Sequence, residues 1–138
     1  MAVGFKVGCY WFQVGTSDFL HSFFSTICIR LEHGKWGSVY PKLMEELYQG
    51  CLKNQDLNEG LEELCKVKKE LKNFSPSYVI WDAEDLSLTP TWGNNISSDI
   101  TDLSNYFVTS DGRDLISVLN EALEDAKEMH CDIEIDNL

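Results

Sequence analysis

The chain has 138 residues, of which 43% are hydrophobic and 12% aromatic, and this composition excludes a disordered chain and favours one globular domain with its own core. Its net charge of −12 is concentrated in one part, because residues 1–81 carry nine acidic and nine basic side chains whereas residues 82–138 carry 14 acidic and two basic ones. This asymmetry argues against nucleic acid and anionic membranes as partners and favours a basic partner.

The N-terminal part of the chain predicts a strand followed by a helix. Residues 4–14 place β-branched and aromatic side chains on both faces, which is typical of a strand that is covered on both sides or central in its sheet. Gly15 breaks this pattern, and the hydroxyl of Thr16 or Ser17 can cap a helix. Residues 18–33 then form that helix, with one wide apolar stripe.

The middle of the chain predicts two more helices. Pro41 is well placed in the first turn of a short helix, and Gly50 is a suitable C-cap for it. The spacing Asp56-x-x-Glu59 predicts a capping box, which opens a third helix that ends before Pro76.

The C-terminal part predicts three short strands and a fourth helix. Residues 78–81 are typical of a buried strand, residues 82–98 of a loop and residues 106–109 of another strand. Residues 113–129 predict a helix, and the alternation in residues 131–136 indicates a half-exposed edge strand. The predicted fold is a single α+β domain over residues 1–138, with about four helices on a small mixed or antiparallel sheet of about four strands.

The cysteine count and the N-terminus indicate a reducing compartment. The chain has five cysteines and no CxxC motif, and its first residues lack the pattern of a signal peptide. We therefore expect a cytoplasmic protein whose thiols are reduced and mostly buried, although the sequence leaves one disulfide open.

The sequence contains no motif for a cofactor or a metal ion. Neither the phosphate-binding nor the dinucleotide-binding glycine pattern occurs, and His21, His33 and His130 lack partners at metal-ligand spacing. We expect no cofactor, no metal and structural roles for the histidines.

Two sets of acidic side chains are candidates for contact with a partner. Asp82, Glu84 and Asp85 follow the predicted buried strand, where they can be a solvated loop, a Mg²⁺ site of a hydrolase or a docking site for basic side chains. The outer side of the last predicted helix carries the second set, Glu121, Glu124, Asp125 and Glu128.

Three tryptophans add possible anchors. We expect Trp81 to lie in the core because it follows an apolar pair. Trp36 and Trp92 each precede a glycine in a loop, where a large aromatic ring either pins the loop or serves as an interface anchor.

Six segments together resemble the immunity protein 70 family of bacterial polymorphic-toxin systems. These segments are 19–27, 36–38, 43–50, 79–82, 90–93 and 106–112. The resemblance spans roughly residues 10–125, and none of the six segments lies in the acidic tail from Glu128 onward.

This resemblance implies a cytoplasmic antidote that binds and blocks one toxin domain in bacterial competition and is not an enzyme. A toxin that is a nuclease is expected to be basic, which agrees with the acidic charge of this chain. Charge and exposure then predict a binding site formed by Asp82, Glu84, Asp85, Trp92, Glu121, Glu124, Asp125 and Glu128.

Two alternatives remain, a small metal-dependent hydrolase that uses the first three carboxylates and a non-catalytic adaptor. If the acidic surface serves only solubility, the contact would lie elsewhere, around Trp36 and Trp92.

Overall fold

An antiparallel sheet of four strands, in the order β2-β1-β4-β3, forms one side of the molecule. The computed structural model describes residues 2–90, 92–93 and 96–137. In these residues the strands are β1 (Ala2–Val7), β2 (Tyr10–Thr16), β3 (Cys51–Leu52) and β4 (Ile133–Asn137).

The N-terminal apolar segment is a hairpin, so the prediction of one strand over residues 4–14 is wrong. The chain reverses at Gly8, whose φ of 59° suits a glycine, and Val7 pairs with Tyr10. Both arms of the hairpin are rich in apolar side chains, so the hydrophobic pattern continues across the turn and conceals it. β1 becomes the central strand that the pattern indicated, since it lies between β2 and β4.

The helices lie close to their predicted positions. They are α1 (Ser17–Thr26), which continues as a π-helical segment (Ile27–Leu31), a second π-helical segment (Lys42–Leu47), α2 (Leu57–Leu71) and α3 (Leu115–Met129). Single 3-10 turns cover Asn54–Asp56 and Pro76–Tyr78. The prediction of an α+β domain with four helices and four strands is therefore confirmed.

The two predicted N-caps have different outcomes. The hydroxyl of Thr16 accepts a hydrogen bond from the backbone N–H of Phe19 and caps α1, as predicted. Asp56 precedes α2, but its side chain makes no capping hydrogen bond, so the capping box is wrong. The Asp56 carboxylate instead lies 3.4 Å from the Lys42 ammonium group, because a charged partner on a neighbouring segment competes with the helix end.

One face of the sheet is buried under the helices. Val3, Phe5 and Val7 of β1 are at most 3% exposed and belong to the same core as Phe23 and Phe24 of α1. The apolar side of α3 is buried as predicted, through Leu115, Val118, Leu119, Ala122, Leu123 and Ala126. Burial of these side chains stabilises the fold, at about 25 cal/mol for each Å² of apolar surface removed from water.

Two predicted strands are absent. Tyr78 ends a 3-10 turn and residues 79–81 follow it, because the backbone of Ile80 bonds to the hydroxyls of Ser22 and Thr26 on α1 rather than to a strand. Residues 106–109 make only one β-bridge, between Val108 and Asp114. A turn follows at Asp111-Gly112, with φ of 84° at Gly112 and a hydrogen bond from its N–H to the backbone oxygen of Thr109.

The last strand is present but does not lie at the edge of the sheet. β4 pairs with β1 along its length and with the two residues of β3, which the sequence did not predict. A strand of two residues is too short to produce a periodic pattern, so the sequence does not indicate β3 as the second neighbour of β4. The predicted alternation itself is present, because Ile133 is buried while Glu134 and Asp136 are exposed.

All five cysteines are free thiols, but the expectation that most are buried is wrong. Cys28 alone among them is buried, whereas Cys51 and Cys131 are half-buried. Cys9 in the hairpin turn and Cys65 on the outer side of α2 are exposed. In the described part of the chain, no helix combines the length and the apolar character that crossing a bilayer requires.

Candidate functional site

The acidic loop, which follows residue 81 and carries Asp82, Glu84 and Asp85, is attached to α1 by hydrogen bonds of two hydroxyl groups. The Ser22 hydroxyl donates to the backbone oxygen of Ile80 over 2.7 Å, and the backbone N–H of Ile80 donates to the Thr26 hydroxyl over 3.0 Å. Both hydroxyls are buried, so these bonds form out of water and hold the segment firmly. They place Asp82, two residues further on, beside His21 on the same helix.

His21 joins the acidic loop to the segment after the second π-helical turn. Its Nε2 atom lies 3.3 Å from Oδ1 of Asp82, and its Nδ1 atom lies 2.6 Å from the Tyr48 hydroxyl. Both neighbours are within hydrogen-bond distance, so the imidazole ring is held on both sides. The sequence assigned His21 a structural role, and these contacts agree with that role while placing the ring at the edge of a cleft.

The charges around His21 shift the pKa values of its neighbours in opposite directions. The pKa of Asp82 is lowered, first by the hydrogen bond from the backbone N–H of Glu84 and then by the bond to His21. The pKa of Tyr48 is raised, first by burial and then by the negative charges of Asp82 and Glu84. The carboxylates of Asp82 and Glu84 therefore add negative charge beside the cleft.

A loop that carries Trp36 closes another side of this cleft. The Trp36 indole N–H donates to the backbone oxygen of Met44 over 2.8 Å, so this tryptophan pins its loop, which was one of its two predicted roles. The ring also stacks with His21 and meets Tyr48 edge-on, with ring centroids 6.2 and 5.0 Å away. The buried carboxylate of Glu32 holds the same loop through three backbone N–H groups.

These groups surround a cleft of about 380 Å³. Its lining consists of His21, Cys28, Ile29, Gly34, Trp36, Tyr48, Gln49, Ala83 and Glu84. Both π-helical segments border it, since Cys28 and Ile29 lie in the first and Tyr48 directly follows the second. π-Helical segments are rare and are frequent at functional sites, so their position marks this cleft as a candidate site.

Trp92 lies in an apolar region beside the acidic loop. Its indole N–H donates to the Tyr106 hydroxyl over 2.8 Å, and its ring meets Trp81 at 5.5 Å and nearly at a right angle. Trp81 is half-buried, so the prediction that it lies in the core is wrong. Leu86 and Leu88, which precede Trp92, are 62% and 47% exposed and add apolar surface there.

The predicted acidic side of α3 is exposed. Glu124 and Glu128 face solvent, and Asp125 is half-buried. Glu121 forms an exposed ion pair with Arg113, one of only two basic residues after position 81, so its charge is partly compensated. A pair with this exposure contributes little to stability.

The eight predicted contact residues lie in two groups. Asp82, Glu84, Asp85 and Trp92 belong to the loop attached to α1, whereas the other four lie on α3. Asp85 accepts hydrogen bonds from the N–H and hydroxyl of Ser87, which is the local turn geometry of aspartate in a loop. Among the described residues, no group of three His, Cys, Asp or Glu side chains is placed to hold a metal ion.

Sequence reasoning missed the cleft because its parts are distant in the chain. It placed Tyr48 on the inner face of a helix and did not single out Glu32. The available signal was indirect: Trp36-Gly37 in a loop and a histidine among phenylalanines on α1. Neither pattern by itself indicates that the side chains meet.

The sequence matches the family described as immunity protein 70 over residues 5–135. This match extends past the six segments at both ends and includes part of the acidic tail. No curated protein and no solved structure matches the chain.

Proposed function

The chain belongs to the immunity protein 70 family, and from this we propose that it binds and neutralises one cognate toxin domain in the bacterial cytoplasm, using its acidic surface against a basic toxin. Membership of the family implies an immunity protein against a toxin and a non-catalytic inhibitor. The basic character of the toxin, the surface that meets it and the compartment are the proposed parts. A toxin that must hold phosphate, such as a nuclease, would have the required positive charge.

The uncompensated negative charge of residues 82–138 carries the proposal. Exposed carboxylates on α3, including Glu124 and Glu128, have few basic neighbours along the chain, because only Arg113 and Lys127 follow residue 81. Electrostatic complementarity of this kind mainly raises the association rate and selects among partners. An antidote benefits from both, since it must capture the toxin before the toxin acts.

Charge reversal on α3 tests the surface. We expect Glu124→Lys and Glu128→Lys each to slow association with the toxin domain about two- to tenfold at low salt, with a smaller effect on dissociation. Glu62→Lys is the matched control, because Glu62 is also an exposed glutamate on a helix but belongs to the charge-balanced half. The partner for this measurement is a toxin domain identified by growth rescue among the products of neighbouring genes.

Growth rescue tests neutralisation itself. Cells that express the cognate toxin domain, sought among the products of neighbouring genes, should survive only when this protein is present, and the two proteins should purify together. If rescue occurs but the association rate changes neither with salt nor with the charge reversals on α3, the acidic surface is not the toxin-binding site. The proposal that the protein neutralises a toxin would still stand. Absence of rescue and of complex formation would reject the antidote and favour the adaptor alternative.

A further inference from the structure

The cleft beside His21 combines aromatic walls with an available carboxylate. Trp36 and Tyr48 are half-buried and line it, and Glu84 is exposed at the same cleft. The carboxylate of Asp82 already accepts from the backbone of Glu84 and faces His21. In the part of the chain that the structure describes, the Glu84 carboxylate has no ion-pair or hydrogen-bond partner, so its charge can serve a ligand.

The walls of the cleft are held in place before any ligand arrives. The indole of Trp36 is bonded to the backbone of Met44, and the hydroxyl of Tyr48 is bonded to His21. Rings that are already ordered lose little conformational entropy on binding. This favours recognition of a defined group over general adhesion.

We propose that this cleft receives an arginine side chain of the toxin, an inference that rests on the proposed function. The planar guanidinium group stacks on one of the rings of Trp36 and Tyr48, which stand at 60° to each other, and donates two hydrogen bonds to the carboxylate of Glu84. Arginine suits this arrangement better than lysine, because its flat group stacks and its fork of donors matches a carboxylate.

The size and character of the cleft agree with a single side chain. A volume of about 380 Å³ lies near the lower end of the range of about 300–1,000 Å³ for small-molecule sites. The carboxylate of Glu84, which lines the cleft, and that of Asp82 beside His21 favour a cation. Aromatic residues and arginine are the usual anchors at the centre of protein interfaces, so one such contact can contribute much of the affinity.

A small arginine probe tests the cleft in the absence of toxin. N-acetyl-arginine methylamide is titrated into the full chain while the Trp36 indole N–H signal is followed by NMR. We expect a saturable shift at millimolar probe, and about tenfold weaker binding of the citrulline analogue, which has nearly the same shape without the charge. The lysine analogue should also bind more weakly.

Matched variants identify the carboxylate. Glu84→Gln should weaken binding of the arginine probe about tenfold, whereas Glu124→Gln, the same change on α3, should leave it unchanged. No saturable Trp36 shift, equal binding of citrulline or lysine, or an unaffected Glu84→Gln variant would each overturn the assignment.

The probe result and the neutralisation result separate the two proposals. If growth rescue succeeds while the arginine probe leaves Trp36 unshifted, the cleft inference fails and the antidote stands. If the probe binds as expected but Glu84→Gln leaves unchanged the affinity for the toxin domain that the protein neutralises, the toxin does not supply the arginine and the inference fails. If neither rescue nor complex formation occurs, the proposed function fails and the toxin assignment fails with it.

Discussion

Replacement of Glu32 by alanine tests whether one buried carboxylate holds the loop that carries Trp36. Glu32 is 1% exposed and directly follows the first π-helical segment. Its oxygens accept the backbone N–H groups of Gly37, Val39 and Tyr40 over 3.0, 2.9 and 2.9 Å. The backbone N–H groups of Gly34, Lys35 and Ser38 bond to backbone oxygens, and the carboxylate adds the anchors for the rest of the loop.

The magnitude follows from the three bonds. A hydrogen bond to a charged group contributes about 1.5–3 kcal/mol, which would give about 5–9 kcal/mol if the three were additive. Val39 is exposed and its freed N–H can reach water, whereas Gly37 and Tyr40 are buried, so we expect Glu32→Ala to lower the free energy of unfolding by about 3–5 kcal/mol. Glu32→Gln keeps one acceptor oxygen and should cost about half as much.

Denaturant unfolding followed by tryptophan fluorescence measures this loss. Glu62→Ala is the control, since removal of an exposed glutamate on α2 should change the free energy of unfolding by no more than about 0.5 kcal/mol. A loss below about 1 kcal/mol for Glu32→Ala would refute the reasoning. It would mean that the loop keeps its place without the carboxylate.

Three further predictions concern the core, the sheet and the cleft. Phe23→Ala should lower the free energy of unfolding by about 3–5 kcal/mol, because the ring is 0% exposed, and an unchanged denaturant midpoint would contradict this. Gly4→Ala should lower the free energy of unfolding by about 1–3 kcal/mol, because the new Cβ would lie 2.5 Å from the backbone oxygen of Phe12. An unaltered melting temperature would contradict this and show that the hairpin can shift to make room. The pKa of the Tyr48 hydroxyl is raised in the folded protein, so this group loses its proton at a lower pH in the unfolded chain. The contribution of Tyr48 to stability is therefore complete below pH about 10 and is lost as the pH rises further. Tyr48→Phe should therefore flatten the alkaline decrease in stability, and identical pH profiles for the two proteins would argue against the shift.

The helices were predictable because their signals are local. The apolar stripes of α1 and α3 repeat every three to four residues, and the residues predicted to be inside α3 are all buried. The hairpin at Gly8 was missed because apolar residues flank the turn on both sides. The short strand β3 was missed because two residues carry no periodicity.

The candidate site was predictable only in part. Exposure of Glu84, Glu124 and Glu128 follows from their place in a loop and on the polar side of a helix. The roles of Asp82 and Asp85 depend on what their carboxylates touch, and both make hydrogen bonds within their own loop. Such local bonds compete with any external ligand, which a count of acidic residues does not reveal.

The sequence by itself determined the class of the fold, the positions of the main helices and the one-sided distribution of charge, because each depends on residues that are neighbours in the chain. Only the tertiary structure decided that His21, Tyr48 and Asp82 meet at one cleft, since Tyr48 and Asp82 lie 27 and 61 positions from His21 in the chain. The contact depends on how the acidic loop bonds to α1 and on how Glu32 folds the Trp36 loop. Those bonds join buried groups across the fold, and no spacing within a segment specifies them.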